Sequence, residues 1–457
     1  MRWASVLLTI PLMAQSPARS LNPIVRKAVE DISTEKVAAS MRKLESFETR
    51  GNFSQTDHPT RGIGAARRWI FEQFQAASPR LQVRLDTYKV KKQPRIFRDV
   101  EVVNVVAVLP GTTHPGRQVL ISAHYDSINQ PPPATPAGET PPELTGEEQE
   151  KRAMAPAPGV SDDASGVAAV LEIARVLSQH EFEKTMVFVV FAGEELGLIG
   201  STLHTQKAKE QKIAIEAVLN SDIIGTEVSG DGRRINRAVR IFSDDPNDSP
   251  SRQLARYIKD VGDRYFPRLE PMLIFRADRV ARGGDHTAFA REGFPAVRFT
   301  SAVEHYTHQH SATDTMMNAS PEYAANVARL KAAVAAGLAQ APNSPVTMRE
   351  STRYGQTSTL ATISRGSSGY DAELRWKDPE PASDLAGYAI VMRNSLSPFW
   401  EKEIFVGKET AHTIPGVDID NNLFGVKAID LQGNESIVAS FSARSSFAER
   451  RKIETYE

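Results

Sequence analysis

The sequence predicts an α/β fold, a three-layer αβα sandwich around a mixed, mostly parallel sheet, followed by a small all-β sandwich. Apolar strands alternate with helical segments as far as Pro342, the pattern of a sheet covered by helices on both faces. One strand, Thr185–Ala192, is almost wholly apolar, as expected of a strand buried on both faces. Beyond residue 368, short alternating strands recur between turn-rich clusters, which predicts the β-sandwich.

The composition excludes several classes of function. The 457 residues are enough for two or three domains. Lys plus Arg number 55 and Asp plus Glu 56, so no basic surface is indicated for nucleic acid or an anionic membrane. Because these partners are not indicated, a small-molecule or peptide substrate is favoured. The chain has no cysteine, so any metal must be held by His, Asp and Glu.

Residues 1–20 have the layout of a secretory signal peptide. Arg2 is followed by an apolar run from Ala4 to Ala14 and then by small and polar residues, with cleavage expected near Ala14 or Ala18. The run is too short to span a bilayer as a helix, and no other segment approaches that length. We therefore expect a secreted or periplasmic protein without a membrane span.

The first domain is predicted to cover residues 21–342. Apolar residues at three- and four-residue spacing predict helix from Asn22 to Phe47, and a second helix follows further along. Alternating or β-branched runs then predict three strands. These later elements are the helix Gly64–Ala76 and the strands Leu81–Val90, Glu101–Leu109 and Gln118–Ala123.

Residues 129–158 form a Pro-rich, charged insertion. This composition buries too little apolar surface to order itself well, so we expect a mobile surface segment. The insertion lies between two motif-bearing segments, which places it over or beside the site. A neutral surface excursion is the favoured interpretation, with a substrate-facing loop as the alternative.

The second half of the first domain continues the alternation. A helix face is marked by Val167 to Leu177, two more strands by Ile215–Asn220 and Ala296–Thr300, and a closing helix by Glu322–Ala339. A linker is predicted over residues 343–368, a β-sandwich over 369–447 and a charged tail over 448–457. The runs LRW, DLAGYAIVMR and FGVKAIDLQGNES in the sandwich resemble a fibronectin type III module.

His124 and Asp126 follow directly after a strand, in ISAHYDS. Ligands of open α/β sheets bind at the carboxyl ends of strands. The spacing allows His124 to bind a metal while Asp126 accepts a hydrogen bond from the other ring nitrogen. By itself, the pattern fits a structural hydrogen-bonded pair better.

Asp162 and Asp163 precede a helix predicted to begin near Ala164. Aspartate is a common helix N-cap, because its carboxylate accepts from the free N–H groups of the first turn. Capping and metal binding are both open for this pair.

Glu194 and Glu195 follow the apolar strand Thr185–Ala192, where solvation should be poor. Two unpaired carboxylates there would be costly to bury or would become protonated. A metal bound by one resolves the conflict, and the other can act as a general base towards a metal-bound water.

Asp222 ends a further strand, and the run EHYTHQHSATDT supplies His305, His308, His310 and Asp314. Three of the ten histidines thus lie within six positions, which favours metal chemistry. The combined oxygen and nitrogen donors suit a catalytic zinc site. Three ligand carboxylates and a bridging hydroxide would balance two divalent cations, so two zinc ions are expected.

With these motifs in this order from Ile32 to Ala339, the sequence resembles the two-zinc aminopeptidase family. That family includes bacterial leucyl aminopeptidases and aminopeptidase Y, with glutamate carboxypeptidase II, glutaminyl cyclase and the transferrin receptor as distant relatives. The resemblance implies a zinc exopeptidase fold in which Asp162 bridges the two ions. It implies further that His124 and Glu195 hold one zinc and that Asp222 and His310 hold the other.

The same resemblance implies that Glu194 is the general base, activating a zinc-bridging water, and that Asp126 supports His124. His310 is preferred to its neighbours because the family has an acid four residues after this ligand, as Asp314 is here. GGDHTAFAREGFPAVRF, residues 283–299, resembles the family segment before the last core strand. Gln309 stands where many members have tyrosine, so the group that polarises the carbonyl is unassigned, with Tyr306 as one candidate.

The implied activity is hydrolysis of the N-terminal peptide bond of peptides with a free N-terminus. Carboxypeptidase or glutaminyl cyclase activity on the same scaffold is the alternative. A non-catalytic, receptor-like binding protein is a further alternative, disfavoured because every ligand position and Glu194 are retained.

Overall fold

The computed structural model describes residues 21–130, 145–280, 282–353 and 356–441, with the side chains of residues 350–358 excepted. The predicted signal peptide, part of the Pro-rich insertion and the charged tail lie outside these residues. The described chain forms two compact units, one covering Leu21–Gln340 and the other beginning at Ala341. Within the described residues, no helix combines the length and apolar character needed to cross a membrane.

The first unit is built from helices and strands that alternate along most of its length. Its helices are α1 (Pro23–Glu30), α2 (Thr34–Glu45), α3 (Gly62–Ala77), α4 (Gly146–Ala153), α5 (Ser165–Leu177), α6 (Ile199–Glu210), α7 (Pro250–Tyr265), α8 (His286–Arg291) and α9 (Pro321–Gln340). Its strands are β1 (Gln82–Val90), β2 (Val100–Leu109), β3 (His114–His124), β4 (Lys184–Phe191), β5 (Ala214–Ser221), β6 (Ala238–Phe242), β7 (Glu270–Ile274) and β8 (Ala296–Ser301).

The strands form one mixed sheet in the order β1-β2-β4-β3-β5-β8-β6-β7. The four central strands β4, β3, β5 and β8 run parallel to one another, whereas β2 and β6 flank them in the antiparallel direction. Every residue of β4 is buried, as its apolar sequence predicts. The parallel centre therefore places four carboxyl strand ends side by side at one edge of the sheet.

Helices cover both faces of this sheet, which confirms the predicted αβα sandwich. On one face α5 and α9 pack together and against β3 and β4, with α1, α2 and α7 packed on α9. On the other face α6 and α8 contribute Ala208 and Phe289 to an apolar cluster with the strand residues Leu120, Val189 and Val218. Burial of this apolar surface is the main favourable term in folding.

The predicted helix from Asn22 to Phe47 is divided in two. Residues 31–33 interrupt it because Ser33 is extended, its hydroxyl accepting a hydrogen bond from the Lys36 N–H (3.2 Å) as the N-cap of α2. The elements α6, α7, α8, β6 and β7 were not predicted from the sequence. Both strands are short, and Arg240 in β6 and Pro271 in β7 obscure their periodicity.

The Pro-rich insertion differs from our expectation at its described end. Residues 146–153 form α4, which begins with a capping box between Thr145 and Glu148. After this helix, the Ala157 N–H donates to the Glu48 carbonyl (2.9 Å). The end of the insertion is thus an ordered helix tied to the first unit, not a mobile excursion.

The second unit is a small all-β domain of antiparallel strands. These are β9 (Met348–Arg353), β10 (Gln356–Ala361), β11 (Ile363–Ser364), β12 (Ala372–Arg375), β13 (Leu385–Asn394), β14 (Lys402–Phe405), β15 (Ala411–Ile414), β16 (Asn422–Asp430) and β17 (Ala439–Ser440). A three-stranded sheet, β11-β12-β15, and a four-stranded sheet, β14-β13-β16-β17, enclose a core with Trp376 packed edge-on to Tyr388.

The predicted linker over residues 343–368 is wrong. Its Ser- and Thr-rich composition concealed the β9–β10 hairpin and β11, which pairs with β12 in the three-stranded sheet. Its start is also tied down, since the Val346 N–H donates to the Lys377 carbonyl (2.7 Å). The likeness to a fibronectin type III module stays a prediction.

Candidate metal centre

The parallel strands bring the predicted ligands to one edge of the sheet. His124 ends β3, Glu195 lies just beyond β4, and Asp222 follows β5. His310 comes from the loop after β8, and Asp162 from a distorted turn over residues 160–164 that leads into α5. The first three side chains and Asp162 are buried, and His310 is 27% exposed. Residues separated by up to 186 positions thus converge because their strands are neighbours.

Asp162 lies between two groups of possible ligands. Its Oδ1 is 3.2 Å from Nε2 of His124, and the same imidazole nitrogen is 3.6 Å from Oδ1 of Asp222. Its Oδ2 is 3.1 Å from Nε2 of His310, which is 3.2 Å from Oε1 of Glu195. Within each group the three ligand atoms lie within 4.8 Å of one another. One carboxylate therefore offers a separate oxygen to each of two sites.

This geometry corrects the pairing that the family resemblance implied. His124 groups with Asp222, not with Glu195, and His310 groups with Glu195. The reason is the order of the strands and the orientation of Asp162. Its Oδ1 faces the ends of β3 and β5, whereas its Oδ2 faces the turn after β4 and the loop after β8.

The donor set fits divalent zinc. Nε2 of His124 and Oε1 of Glu195 are buried, and although each lies 3.2 Å from a polar atom of the cluster, neither makes a hydrogen bond of good geometry with the described residues, a costly state unless a cation is bound. Burial alone would lower the pKa of His310, yet the carboxylates of Glu195 and Asp162 raise it to about 11. The cluster therefore strongly favours positive charge, and imidazole with carboxylate oxygens are zinc ligands.

Asp314 holds the backbone of the bridging residue. Its carboxylate accepts hydrogen bonds from the N–H groups of Ser161 (2.8 Å) and Asp162 (3.0 Å), and burial raises its pKa to about 7. The acid four residues after His310 thus holds the backbone of Asp162.

His310 and Ile223, the neighbour of Asp222, have left-handed backbones with φ of 54° and 61°. Such backbones are uncommon for non-glycine residues and concentrate at functional sites.

Capping and metal binding were both open for Asp162 and Asp163, and the structure shows Asp163 bonded to backbone N–H groups. Its Oδ1 accepts from the N–H groups of Gly166 (3.0 Å) and Ile223 (3.2 Å), and its Oδ2 from that of His124 (3.3 Å). One buried carboxylate therefore connects the start of α5 with the ends of β3 and β5. Asp163 has a structural role beside the ligand cluster, and Asp162 faces that cluster.

Asp126 differs in detail from the predicted histidine partner. Nδ1 of His124 is 3.1 Å from its backbone carbonyl and 3.6 Å from its carboxylate. The carboxylate accepts instead from Asn52 Nδ2 (2.7 Å) and from the N–H groups of Glu194 (3.3 Å) and Glu195 (3.1 Å). Asp126 thus orients His124 through its backbone and holds the Glu194–Glu195 turn through its side chain.

Glu194, the predicted general base, lies beside the ligand cluster. Burial raises its pKa well above the usual range, although His124 opposes this effect, and the nearby carboxylates of Asp222 and Glu195 raise it further. A carboxylate with a raised pKa is a stronger proton acceptor once ionised. This electrostatic environment favours the predicted role of Glu194 as a general base, which stays a prediction.

A buried charge network extends from Asp222 to the residue before His310. Arg298 pairs with Asp222 (2.9 Å) and Asp278 (2.9 Å). Arg279 continues the chain from Asp278 (3.2 Å) to Glu304 (2.5 Å). Glu304 accepts from Gln309 Nε2 (2.8 Å), whose Oε1 accepts from Arg282 (2.8 Å). Both ends of the Gln309 amide are therefore occupied in this network.

The remaining histidines of the cluster are not among the grouped ligands. The rings of His305 and His308 stack at 4.1 Å, and their Nδ1 atoms contact Thr307 and Thr313 (both 2.8 Å). Tyr306 is 62% exposed. The choice of His310 over His308 thus agrees with the geometry.

The buried cations that support the site were not predicted from the sequence. Arg50 is fully buried and donates to the carbonyls of Tyr125 (2.6 Å), Leu44 (3.2 Å), Pro158 (2.5 Å) and Gly159 (2.8 Å). Arg298 and Lys331 are equally buried. A single basic residue in a strand or loop forms no local sequence pattern that predicts its burial. The one available signal was a lone cation within an apolar run, as Arg298 is in PAVRFT.

A cavity of about 1040 Å³ opens beside Glu195. Phe53, Ile96, Phe97 and Leu196 contribute its apolar lining, and Gln149, Arg152 and Ala153 of α4 form part of its wall. The described end of the Pro-rich insertion therefore lies next to the candidate site. This position argues against a neutral surface excursion, and the substrate-facing alternative stays a prediction.

Comparison with known proteins identifies the family. Peptidase family M28 matches residues 104–335, which carry all five predicted ligands and Glu194. A protein from Pyricularia oryzae named as a probable zinc metalloprotease is 34% identical, over 93% of this chain and 85% of its own length.

Solved structures share the fold at low sequence identity. LapA aminopeptidase of Legionella pneumophila superposes with a TM-score of 0.52 at 19% identity, covering 72% of this chain and 77% of that one. Glutaminyl cyclase of Macrostomum lignano gives 0.51 at 14%, covering 70% and 94%. The family match covers the candidate site, and a relative aligns along nearly the whole length. This chain therefore belongs to peptidase family M28.

Proposed function

We propose that this protein is a two-zinc aminopeptidase that removes the N-terminal residue of peptides. The observation that carries the proposal is the position of Asp162, whose two carboxylate oxygens face separate His–carboxylate pairs. A single ion would leave one of these pairs buried without a counter-charge. His124, Asp162 and Asp222 would hold one zinc, and Asp162, Glu195 and His310 the other.

Zinc bound at these residues would supply Lewis-acid chemistry, polarising the scissile carbonyl and stabilising the charge that develops on its oxygen. Glu194 would take a proton from the attacking water and return it to the leaving amine. Asp126 would keep Glu194 in place through the backbone N–H bonds described above. The cavity beside Glu195 would receive part of the peptide.

The role of Glu194 is tested by Glu194→Gln, with the exposed Glu210→Gln on α6 as a matched control. We expect both variants to retain two zinc ions per chain in metal analysis. Glu194→Gln should lose activity by about 100-fold or more, because it removes the proton acceptor. A fully active Glu194→Gln variant, or an active protein without zinc, would overturn the proposal.

An assay of the unmodified protein on a panel of peptides distinguishes aminopeptidase activity from carboxypeptidase and glutaminyl cyclase activity. Peptides with a free N-terminus should be cleaved, and the same peptides with an acetylated N-terminus should not. Equal cleavage of both sets would exclude an aminopeptidase and favour a carboxypeptidase. Cyclisation of N-terminal glutamine without peptide cleavage would indicate a glutaminyl cyclase.

A further inference from the structure

The cavity beside Glu195 carries an excess of positive charge. Lys92, Arg95 and Arg152 line it, and Glu195 is the one acidic residue in its described lining. Glu195 belongs to the proposed zinc ligands, so bound metal would neutralise its charge. A ligand in this cavity would therefore meet three cations and no free carboxylate among the described lining residues.

The two arginines are anchored without being neutralised. Nη2 of Arg95 donates to the backbone carbonyl of Glu195 (3.3 Å), and Nε of Arg152 donates to that of Asn129 (2.9 Å). Neither has a carboxylate partner among the residues that the structure describes. Arg98, which lies outside this cavity lining, is instead paired with Glu150 (2.8 Å). The guanidinium groups at the cavity thus keep donors available for an anion.

Part of the cavity lining is apolar and closely packed. The rings of Phe53 and Phe97 are 4.3 Å apart, and Ile96 and Leu196 are buried against Phe53. A ligand that suits these walls combines an apolar or small body with a negatively charged group. Peptides carry such a group as the C-terminal carboxylate or as an acidic side chain.

Charge also decides which part of a peptide enters. The substrate of an aminopeptidase carries a positive α-ammonium group on the residue to be released, and three cations repel it. The carboxylate-bearing side of the scissile bond has no such conflict. The cavity therefore suits the part of the peptide that leaves with the new amine.

We propose that this cavity binds the residue after the scissile bond and selects substrates with a carboxylate there, through Arg95 and Arg152. This inference rests on the proposed aminopeptidase activity and adds its substrate class. The carboxylate is supplied either by the C-terminus of a dipeptide or by an acidic side chain, and both sources meet the same guanidinium groups.

Four dipeptide substrates that share one accepted N-terminal residue test this inference with the full-length zinc enzyme. The first pair ends in alanine and differs in the C-terminus, which is a free carboxylate in one dipeptide and an amide in the other. The second pair has an amidated C-terminus and differs in the side chain of the last residue, which is glutamate in one dipeptide and glutamine in the other. We expect the charged member of at least one pair to have a kcat/KM about tenfold higher, the scale of one charge-assisted hydrogen bond. Preference within only one pair identifies the source of the carboxylate.

Variants assign the preference to the two arginines. Arg95→Gln with Arg152→Gln should reduce the ratio to about one, whereas Arg95→Lys with Arg152→Lys should retain part of it. Arg26→Gln, an exposed change on α1 that removes one positive charge away from the cavity lining, should leave the ratio unchanged. Zinc content and circular dichroism check that each variant is folded.

Equal kcat/KM within both pairs, or a preference that the double Gln variant retains, would overturn the inference. Cleavage of the amide substrates separates this failure from that of the proposed function. If the amides are hydrolysed without any carboxylate preference, the aminopeptidase stands and the substrate class is wrong. If no substrate with a free N-terminus is hydrolysed, the proposed function itself fails.

Discussion

At the scale of single residues, the carboxylate of Asp126 shows how a side chain without a proposed ligand role can shape the metal centre. It accepts from three donors, namely Asn52 and the backbone N–H groups of Glu194 and Glu195. The two backbone bonds fix the turn that carries both the proposed base and a proposed ligand. Carboxylates that orient a metal site in this way affect its metal affinity or activity by about 10–100-fold.

We expect Asp126→Asn to lower kcat by about 10–100-fold, because its amide presents a donor where a backbone N–H needs an acceptor. The double variant Asp126→Asn with Asn52→Asp restores a carboxylate–amide pair between the two side chains but not the bonds to the turn. Steady-state kinetics of both should therefore show no recovery in the double variant. Recovery would mean that the contact with Asn52, not the turn, is what matters.

A second residue-scale feature is the buried cation under the sheet edge. Nζ of Lys331 on α9 donates to Ser221 Oγ (2.5 Å) and to the Ser122 carbonyl (3.4 Å), and its side chain is fully buried. Burial lowers its pKa to about 7, although Asp163 nearby opposes this shift. The unfolded chain, with an ordinary lysine pKa of about 10.4, binds this proton more tightly.

The charge on Lys331 therefore opposes folding. This cost is fully present below about pH 7 and disappears as the pH rises towards about 10, where the unfolded chain also loses the proton. We expect Lys331→Met to raise the melting temperature most at pH 6–7 and progressively less up to pH 10. Thermal unfolding of both proteins across this range measures the difference, and a constant difference would contradict the assignment.

At the scale of elements, four parallel strands position the ligand cluster and β8 adds the cation that supports it. Arg298 on β8 lies between Asp222 and Asp278 and also donates to the Gly283 carbonyl (2.7 Å). It holds the end of β5 to the loop before α8. The network then continues through Glu304 to Gln309, which adjoins His310.

We expect Arg298→Met to destabilise the protein by about 3–5 kcal/mol, because two buried carboxylates lose their shared counter-charge. Arg26→Met is the control, since Arg26 forms an exposed pair with Glu30 (3.8 Å) that contributes little. Urea denaturation in the presence of zinc gives both values. A loss for Arg298→Met as small as that for the control would show that Arg298 does not support the site.

At the scale of the whole molecule, the chain contains two units with separate cores. The proposed zinc ligands all belong to the unit Leu21–Gln340, whereas the β-sandwich core around Trp376 and Tyr388 belongs to the unit after it. A ligand that binds only the native state stabilises the unit that binds it. Zinc should therefore act on one unit and leave the stability of the other unchanged.

We expect two transitions in differential scanning calorimetry, only one of which moves to lower temperature when zinc is removed by a chelator. Free zinc at 100 times its dissociation constant would contribute about 2.7 kcal/mol per site to that transition. Returning zinc should restore the original curve. If neither transition responds to the chelator, bound metal does not stabilise the fold.

Much of the architecture could be predicted from the sequence because its signals are local. The apolar run of β4 predicts a central buried strand, and the alternation of helices and strands predicts the αβα sandwich. The double carboxylate Glu194–Glu195 after that strand indicates a cation without any reference to the rest of the chain. The predictions for the linker and the insertion failed because a polar composition does not show β11 or α4, which are recognised by the pairing of β11 with β12 and by the contact of Arg152 on α4 with Asn129.

The sequence by itself thus determined which residue types stand at the ends of the strands, and with them the family and the candidate ligands. Only the tertiary structure decided how these ligands are grouped, because the grouping depends on the strand order β4-β3-β5-β8 and on the orientation of the Asp162 carboxylate. It also decided that Asp163 is structural and that Arg298 adjoins a proposed ligand. The charge of the cavity likewise arises only when segments near residues 95 and 152 meet beside Glu195, since electrostatic interactions depend on distance in space and not along the chain.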